Sequence, residues 1–163
     1  MSGEVFHKRL FPVGQGGFSL GGLRGRDGSL LYSYVYDCGS DQLNALRREM
    51  DVAKSLFNID EKYIDVVYIS HLDSDHINGF DHLCQLVDNK IRNVVLPYLD
   101  IHDSYYLIAS ELCSNSTSGL FMEFLIDPVK WIKSRLPEAD ISLLYPCDID
   151  DNFDPPIFNS ENI

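Results

Sequence analysis

Apolar positions in the first forty residues follow a two-residue period that glycine turns interrupt. The stretch from Val5 to Val13 predicts a strand, and the glycines at 14, 16 and 17 predict a tight turn after it. Residues 18–23 and 30–36 predict two more strands, joined through Asp27-Gly28 as in a hairpin. The chain is therefore expected to open as antiparallel sheet.

Helical and strand periods alternate after this opening. Apolar residues at helical spacing predict a helix that Asp41 caps and that runs to about Phe57. The β-branched and aromatic segment 63–70 predicts a buried strand. We also predict helices over 80–87, 104–113 and 127–136 and strands over 91–97 and 141–145. The order predicts an α/β fold, with residues 1–145 as one domain and 146–163 as an acidic loop or linker.

Composition excludes several classes of protein. The 163 residues contain 13 Lys and Arg against 25 Asp and Glu, a net charge of −12 that disfavours binding nucleic acid through bulk charge. The excess lies mostly in residues 136–163, which contain seven acidic residues and no Lys or Arg. We see neither a secretory signal nor a membrane segment, and the four dispersed cysteines are typical of reduced thiols, so we predict a cytoplasmic protein.

Four side chains of the metal-ligand type lie within six positions after the predicted buried strand: His71, Asp73, Asp75 and His76. Carboxylates and imidazoles so close together repel or desolvate one another unless a cation lies among them. The spacing permits two ions, one on His71 and Asp73 and the other on Asp75 and His76. The alternative is that an aspartate caps the next helix and the histidines are solvated loop residues.

Three segments resemble one family of enzymes. Residues 70–79 (SHLDSDHING) resemble the metal loop of the metallo-β-lactamase-fold hydrolases, His-x-His-x-Asp-His-x-x-Gly. Residues 13–16 (VGQG) resemble the early glycine turn of that family, and residues 36–39 (YDCG) its Asp-x-Gly. Asp73 stands where most members have a second histidine. This variant is similar to the hydrolase domain attached to bacterial DNA-uptake channel proteins.

The resemblance implies an αββα sandwich that is incomplete in this chain. It also implies two divalent ions, Zn or Mn, with the Asp73 oxygen favouring Mn. The implied activity is hydrolysis by a metal-bound hydroxide that Asp75, as the catalytic residue, also orients. Asp37 would orient the loop or a ligand, and Gly79 would permit close backbone approach. The variant loop favours a phosphodiester substrate, either a nucleotide or a nucleic acid.

The family completes its metal site with a histidine, a bridging aspartate and a last histidine from later in the chain. His102 is the possible extra ligand here, and a missing C-terminal half or a partner chain would supply the others. One other interpretation is a non-catalytic or incomplete module that acts with a partner chain. Another is a non-haem iron oxygenase, since His71-x-Asp73 matches part of its ligand triad, although this leaves Asp75 and His76 without a role.

Overall fold

The computed structural model describes residues 4–57, 63–114 and 119–146. Strands and helices within these ranges follow the order β1 (Val5–Leu10), β2 (Gly16–Arg24), β3 (Leu30–Ser40), α1 (Leu43–Phe57), β4 (Ile64–Tyr68), α2 (Ser74–Ile77), α3 (Phe80–Leu86), β5 (Ile91–Pro97), α4 (Ile101–Ser114), α5 (Gly119–Ile126), α6 (Pro128–Arg135) and β6 (Asp140–Leu144).

The strands form a single six-stranded sheet in which spatial order equals chain order, β1-β2-β3-β4-β5-β6. The first three strands pair antiparallel, whereas β3, β4, β5 and β6 pair parallel. Parallel strands end at the same edge of a sheet, so the segments after β3, β4 and β5 all emerge there. β1 and β6 are the edge strands.

The predicted hairpin between β2 and β3 is confirmed. Gly28 has φ +79°, a backbone conformation that glycine adopts without strain. The side chain of Asp27 accepts a hydrogen bond from the Ser29 amide at 2.9 Å. These two residues supply the turn chemistry that the Asp-Gly pair indicated.

The hydrophobic core lies between the sheet and the helices. Val35 and Val67 are fully buried in β3 and β4, and α1 contributes Leu46 and Met50 to the same cluster. α3 and α5 meet α6 through aromatic rings around Trp131, which lies 5.6 Å from Phe80 and 5.2 Å from Phe124 between centroids. The described residues thus form the α/β unit that the sequence predicts, in which the helices and one sheet share one core.

Helix starts differ from the predictions where a polar side chain caps the backbone. α4 begins at Ile101 instead of residue 104, because Asp100 Oδ1 accepts the amides of His102 and Asp103 at 2.7 and 2.8 Å. Those amides hold the pKa of Asp100 below its ordinary value, with Asp103 the larger cause. At α1 the Ser40 hydroxyl, rather than Asp41, accepts the Gln42 amide at 2.8 Å, and the helix begins at Leu43.

Helix α5 was not predicted. Its sequence GLFMEFLI is apolar on nearly every face and has no helical period that could reveal it. The acidic segment predicted over 146–163 lies, apart from Pro146, outside the described residues. Within the ranges that are described, every helix is too short or too polar to cross a membrane.

Candidate metal centre

The candidate metal centre lies where β3 and β4 end. Tyr36 pairs with Tyr68 in parallel register, so Asp37 and Ser70, which follow these two residues, reach the same edge of the sheet. The loop after β4 then carries all four predicted ligands within a few residues, and α2 (Ser74–Ile77) holds two of them on its first turn. Strand register therefore brings a buried carboxylate of β3 against the predicted metal loop.

Asp37 of β3 connects the sheet to this loop through direct contacts with two loop residues. It is 3% exposed and has φ +56°, a left-handed conformation that aspartate tolerates better than most residues. Its Oδ1 accepts the Ser70 amide at 2.7 Å, and its Oδ2 accepts the Ser70 hydroxyl at 2.7 Å. The same Oδ2 lies 2.9 Å from Nδ1 of His76. The predicted orienting role of Asp37 therefore has direct contacts to support it.

These contacts assign the tautomers of both loop histidines. A carboxylate only accepts hydrogen bonds, so Nδ1–H of His76 donates to Asp37. The single Ser70 hydroxyl hydrogen also goes to Asp37, so Nδ1–H of His71, 2.8 Å from that hydroxyl, donates to its oxygen. In the neutral form of each ring, the form that binds metals, Nε2 is then the nitrogen that carries the lone pair.

Each Nε2 faces an aspartate of the same loop. Nε2 of His71 lies 3.5 Å from Asp73 Oδ2, and Nε2 of His76 lies 4.0 Å from Asp75 Oδ1. The two rings are adjacent, with centroids 3.7 Å apart. In the neutral rings a lone pair would face a carboxylate, which is repulsive unless a cation lies between them, so the donor types fit divalent metal ions. The structure thus brings His71 near Asp73 and His76 near Asp75.

Exposure differs between the two pairs. The side chains of His71 and Asp73 are 48% and 60% exposed, whereas those of His76 and Asp75 are 17% and 16% exposed. Ligands that are already oriented and partly desolvated lose less freedom on binding a metal. The Asp75 and His76 pair is therefore better preorganised for binding a metal ion than the His71 and Asp73 pair.

Two glycines let β2 and β3 approach the backbone of the loop. A Cβ on Gly39 would lie 2.4 Å from the Asp75 carbonyl oxygen, and one on Gly16 would lie 2.3 Å from the same atom. Gly79, predicted to permit close approach, is buried and donates its amide to the Cys38 carbonyl at 2.9 Å. Glycines in the early turn and in the Asp-x-Gly segment thus allow the backbone of the metal loop to pack closely against β2 and β3.

Two residues important for the loop were not predicted to act in it. Ser70 connects Asp37 to His71, as described above. Asn78 is bound twice to Ser40, through Nδ2 to the carbonyl and through Oδ1 from the amide, both at 3.0 Å. The position of Ser70 between the strand and the first histidine was the signal for its role. Nothing local in the sequence indicates that Asn78 meets Ser40.

The remaining candidates lie apart from the loop. His102 is exposed in the first turn of α4, and within the described residues its ring has no hydrogen bond or ion pair with the metal loop. Cys38 is fully buried, and burial raises its pKa well above the ordinary value, as expected for a packed thiol rather than a nucleophile. Across the described ranges, no three His, Cys, Asp or Glu side chains are arranged to enclose one ion.

Comparison with known proteins decides the family. The sequence model of the metallo-beta-lactamase superfamily matches residues 30–132, from β3 through most of α6. The chain belongs to the metallo-beta-lactamase superfamily. That span includes Asp37 and the whole metal loop. Members of the superfamily include metal-dependent hydrolases, and they typically bind divalent metals.

The crystal structure of a beta-lactamase domain protein from Burkholderia ambifaria is similar to this chain, at 16% identity and a TM-score of 0.42. The alignment covers 89% of this chain and 41% of that protein, so the chain spans about two fifths of its length. No curated protein matches the sequence.

Proposed function

We propose that this chain is the metal-loop part of a metal-dependent hydrolase of the superfamily. His71 and Asp73 would hold one divalent ion, and Asp75 and His76 would hold a second. The supporting observation is that both rings use Nδ1 in hydrogen bonds and direct Nε2 at an aspartate. Histidine ligands of metals typically donate the other ring N–H to a carboxylate, as His76 does to Asp37.

Divalent ions, if held by these residues, would supply Lewis acidity and would lower the pKa of a bound water, which is what hydrolysis at neutral pH requires. The protein residues contribute orientation. Asp37 holds His76 in one tautomer, and Ser70 holds His71 in the same way. Asp75, close to His76 and largely buried, is the carboxylate that we propose to orient the attacking water and take its proton.

The choice of metal follows from the ligands. Asp73 contributes oxygen where most superfamily members have a histidine nitrogen, and this change favours Mn over Zn at the first position. Each pair offers two protein ligands, fewer than the three that a catalytic zinc site usually has. We propose that further ligands come from outside the described residues, either from this polypeptide or from a partner chain.

We propose a phosphodiester as the substrate class, on the strength of the variant loop. Two ions can stabilise both the attacking and the leaving oxygen of such a displacement. The net charge of −12 opposes a long polyanion, so a nucleotide or a short nucleic-acid end suits the chain better. A chromogenic phosphodiester assayed with Mn and with Zn, beside a β-lactam and a lactone, tests the class.

Metal binding is the first test of the proposal. The full chain, loaded with Mn or Zn and desalted, should retain metal, and His76→Ala should retain less. His7→Ala is the matched control, because His7 is an exposed histidine on β1, outside the loop. A wild-type chain without metal, or equal retention by His76→Ala and wild type, would contradict the proposal.

A second candidate is a non-catalytic module that acts with a partner chain. It is favoured by the absence, within the described residues, of any three-ligand cluster. Metal-dependent stabilisation without turnover of any ester would support it. The iron oxygenase interpretation is disfavoured, because the mixed sheet and its helices differ from the all-β barrel that such enzymes use.

A further inference from the structure

Strand β1 leaves one side of its backbone unpaired. Its six residues are all exposed, and among the described strands it pairs only with β2. The N–H and C=O groups on its outer side therefore have no partner within the sheet. An extended segment of another protein can pair with such an edge as an added strand, and the side chains beside the edge then determine which segment binds.

A basic groove runs along this edge. It has a volume of about 360 Å³, and it is lined by His7, Lys8 and Arg9 of β1, Arg24 of β2, and Leu56 and Phe57 of α1. Successive side chains of a strand point to opposite faces, so a groove that three successive residues line follows the strand backbone rather than one face of the sheet. A ligand in this groove would meet the unpaired backbone groups and the cations together.

The two arginines of the groove are held in place without carboxylates. Arg24 donates from Nη1 to the Gly28 carbonyl at 2.9 Å and from Nη2 to the Phe57 carbonyl at 2.7 Å. The guanidinium of Arg9 lies over the ring of Phe11, 5.4 Å from its centroid. Carbonyls and aromatic rings orient a guanidinium without neutralising its charge. In the described part of the chain, no Asp or Glu forms an ion pair with either arginine.

Charge selects an acidic partner for this edge. β1 and β2 contain three Lys and Arg residues, Lys8, Arg9 and Arg24, and no Asp or Glu, although the whole chain has a net charge of −12. Lys8 also has no ion pair within the described residues. The β1 strand of a second copy would bring Lys8 and Arg9 against identical cations, which is unfavourable. An acidic segment would instead place its carboxylates beside uncompensated cations.

We propose that β1 binds an extended, acidic segment of a partner protein as a seventh strand of the sheet. Backbone hydrogen bonds to the outer side of β1 would supply the pairing, and carboxylates at alternate positions of the segment would lie in the groove beside Arg9 and Arg24. The residues between those carboxylates would be β-branched or aromatic, because Phe6 and Leu10 of β1 are 57% and 76% exposed and offer apolar contact.

Other anions match only part of this surface. A small phosphate could bind the guanidinium groups, but it would leave the strand edge and the exposed apolar side chains of β1 without contacts. A single-stranded nucleic acid could bring its phosphates to the cations, yet its backbone has no regular row of amide donors and carbonyl acceptors to pair with a strand. An extended acidic peptide is the ligand whose chemistry matches the backbone, the charge and the apolar side chains at once.

The proposed interface is separate from the metal loop. Gly16, at the start of β2, approaches the Asp75 carbonyl, whereas Arg9 pairs with Leu20 further along β2. The four residue steps from Gly16 to Leu20 span about 14 Å of strand, and Arg24 lies four steps farther from the loop. The peptide should therefore bind without changing metal retention, and the proposal does not rest on the proposed hydrolase activity.

Binding of a defined peptide to the full 163-residue chain tests the proposal. The probe is a blocked peptide of alternating glutamate and threonine, about as long as the six residues of β1, and calorimetry measures its affinity. We expect it to bind roughly tenfold or more tightly than the same peptide with lysine in place of glutamate, and to bind less tightly as salt is raised. Methylation of its amide nitrogens keeps its charge and removes its backbone donors, so the methylated peptide should bind roughly tenfold more weakly.

Charge reversal on β1 identifies the site. Lys8→Glu and Arg9→Glu should each weaken binding of the acidic peptide by roughly tenfold, and the double variant should bind the lysine peptide more tightly than the wild type does. Arg48→Glu is the matched control, because Arg48 is an exposed cation of α1 outside the groove. It should change the affinity by roughly twofold at most, since exposed charges at a distance are screened by salt. Circular dichroism verifies that every variant is folded.

Equal affinity for the acidic and the lysine peptide would overturn the proposal, because it would exclude selection by charge. Equal affinity for the methylated peptide would exclude strand addition, and unchanged affinity in both charge variants would place the peptide elsewhere on the protein. A single-stranded oligonucleotide of the same charge that binds at least as tightly, and that Lys8→Glu and Arg9→Glu release, would assign the edge to nucleic acid instead.

Discussion

His76 donates from Nδ1 to the buried Oδ2 of Asp37 at 2.9 Å, and this bond joins the candidate metal loop to the end of β3. The same carboxylate accepts two bonds from Ser70, so one side chain fixes both the start of the loop and its last histidine. The bond leaves Nε2 of His76 as the only ring atom free to bind a metal. Asp37 is thus a positioning residue, and its removal has measurable consequences.

Asp37→Asn should weaken metal binding roughly tenfold to a hundredfold, the usual cost of losing the carboxylate behind a ligating histidine. In one orientation the new NH2 group would face Nδ1–H of His76 and could not accept from the Ser70 hydroxyl, and in the other it would face the Ser70 amide N–H. Either orientation should cost about 1–3 kcal/mol in the free energy of unfolding. Metal titration and urea unfolding measure the two effects. Asp41→Asn is the control, because Asp41 is exposed near the start of α1. Wild-type values for both quantities in Asp37→Asn would contradict the role of Asp37.

Gly39→Ala should destabilise the fold by about 2 kcal/mol, since the added methyl group has no room. Its Cβ would lie 2.4 Å from the carbonyl carbon and oxygen of Asp75, which are backbone atoms that must move. Displacing Asp75 should also lower metal retention. Thermal unfolding and metal analysis measure this. Gly119→Ala is the control: it has no atom within 4 Å of the new Cβ and begins α5, so it should be neutral or stabilising.

The sequence was sufficient for features that depend on local chemistry. The Asp-Gly hairpin and the buried strand before the loop are encoded within a few residues, and the structure places them as expected. The four loop residues also lie close together, although their role as metal ligands stays a prediction. The bond between Asn78 and Ser40 could not be predicted, because it depends on how β3 and α2 pack. α5 was missed because its residues are apolar on nearly every face, exposed Leu120 and Ile126 included, so the sequence has no amphipathic period.

Stability should fall as the pH rises from about 9 toward 12, in part through the thiol of Cys84. Burial, with a smaller contribution from Asp81, raises its pKa from the ordinary 9.0 to about 12. Between these values the unfolded chain loses the proton and the folded chain keeps it, so unfolding becomes easier by up to about 1.4 kcal/mol per pH unit. Tyr32, whose pKa burial raises to about 12, acts in the same direction.

Cys84→Ala isolates the contribution of the thiol. Urea unfolding of this variant at several pH values should give a shallower decline than the wild type above pH 9, with Tyr32 unchanged as an internal reference. An identical slope in both proteins would exclude Cys84 as a source. Alkylation offers a second measurement: in the described part of the chain, exposed Cys113 should react first, whereas Cys38 and Cys84 should react only on unfolding.

Arg135, the last residue of α6, should stabilise the fold more than an ordinary exposed cation at a helix end does. Its guanidinium lies over Trp131, 3.5 Å from the ring centroid, and its Nε donates to Asp81 of α3. Arg135→Ala should therefore cost about 2 kcal/mol in the free energy of unfolding, from the lost cation–π contact and the unpaired Asp81. Arg135→Lys should recover only part of this, because an ammonium group cannot stack and donate in the same plane.

Lys130→Ala is the control, because Lys130 is an exposed cation of the same helix, and it should change the free energy of unfolding little. Equal effects of Lys130→Ala and Arg135→Ala would show that helix charge, not the contact with Trp131, is responsible.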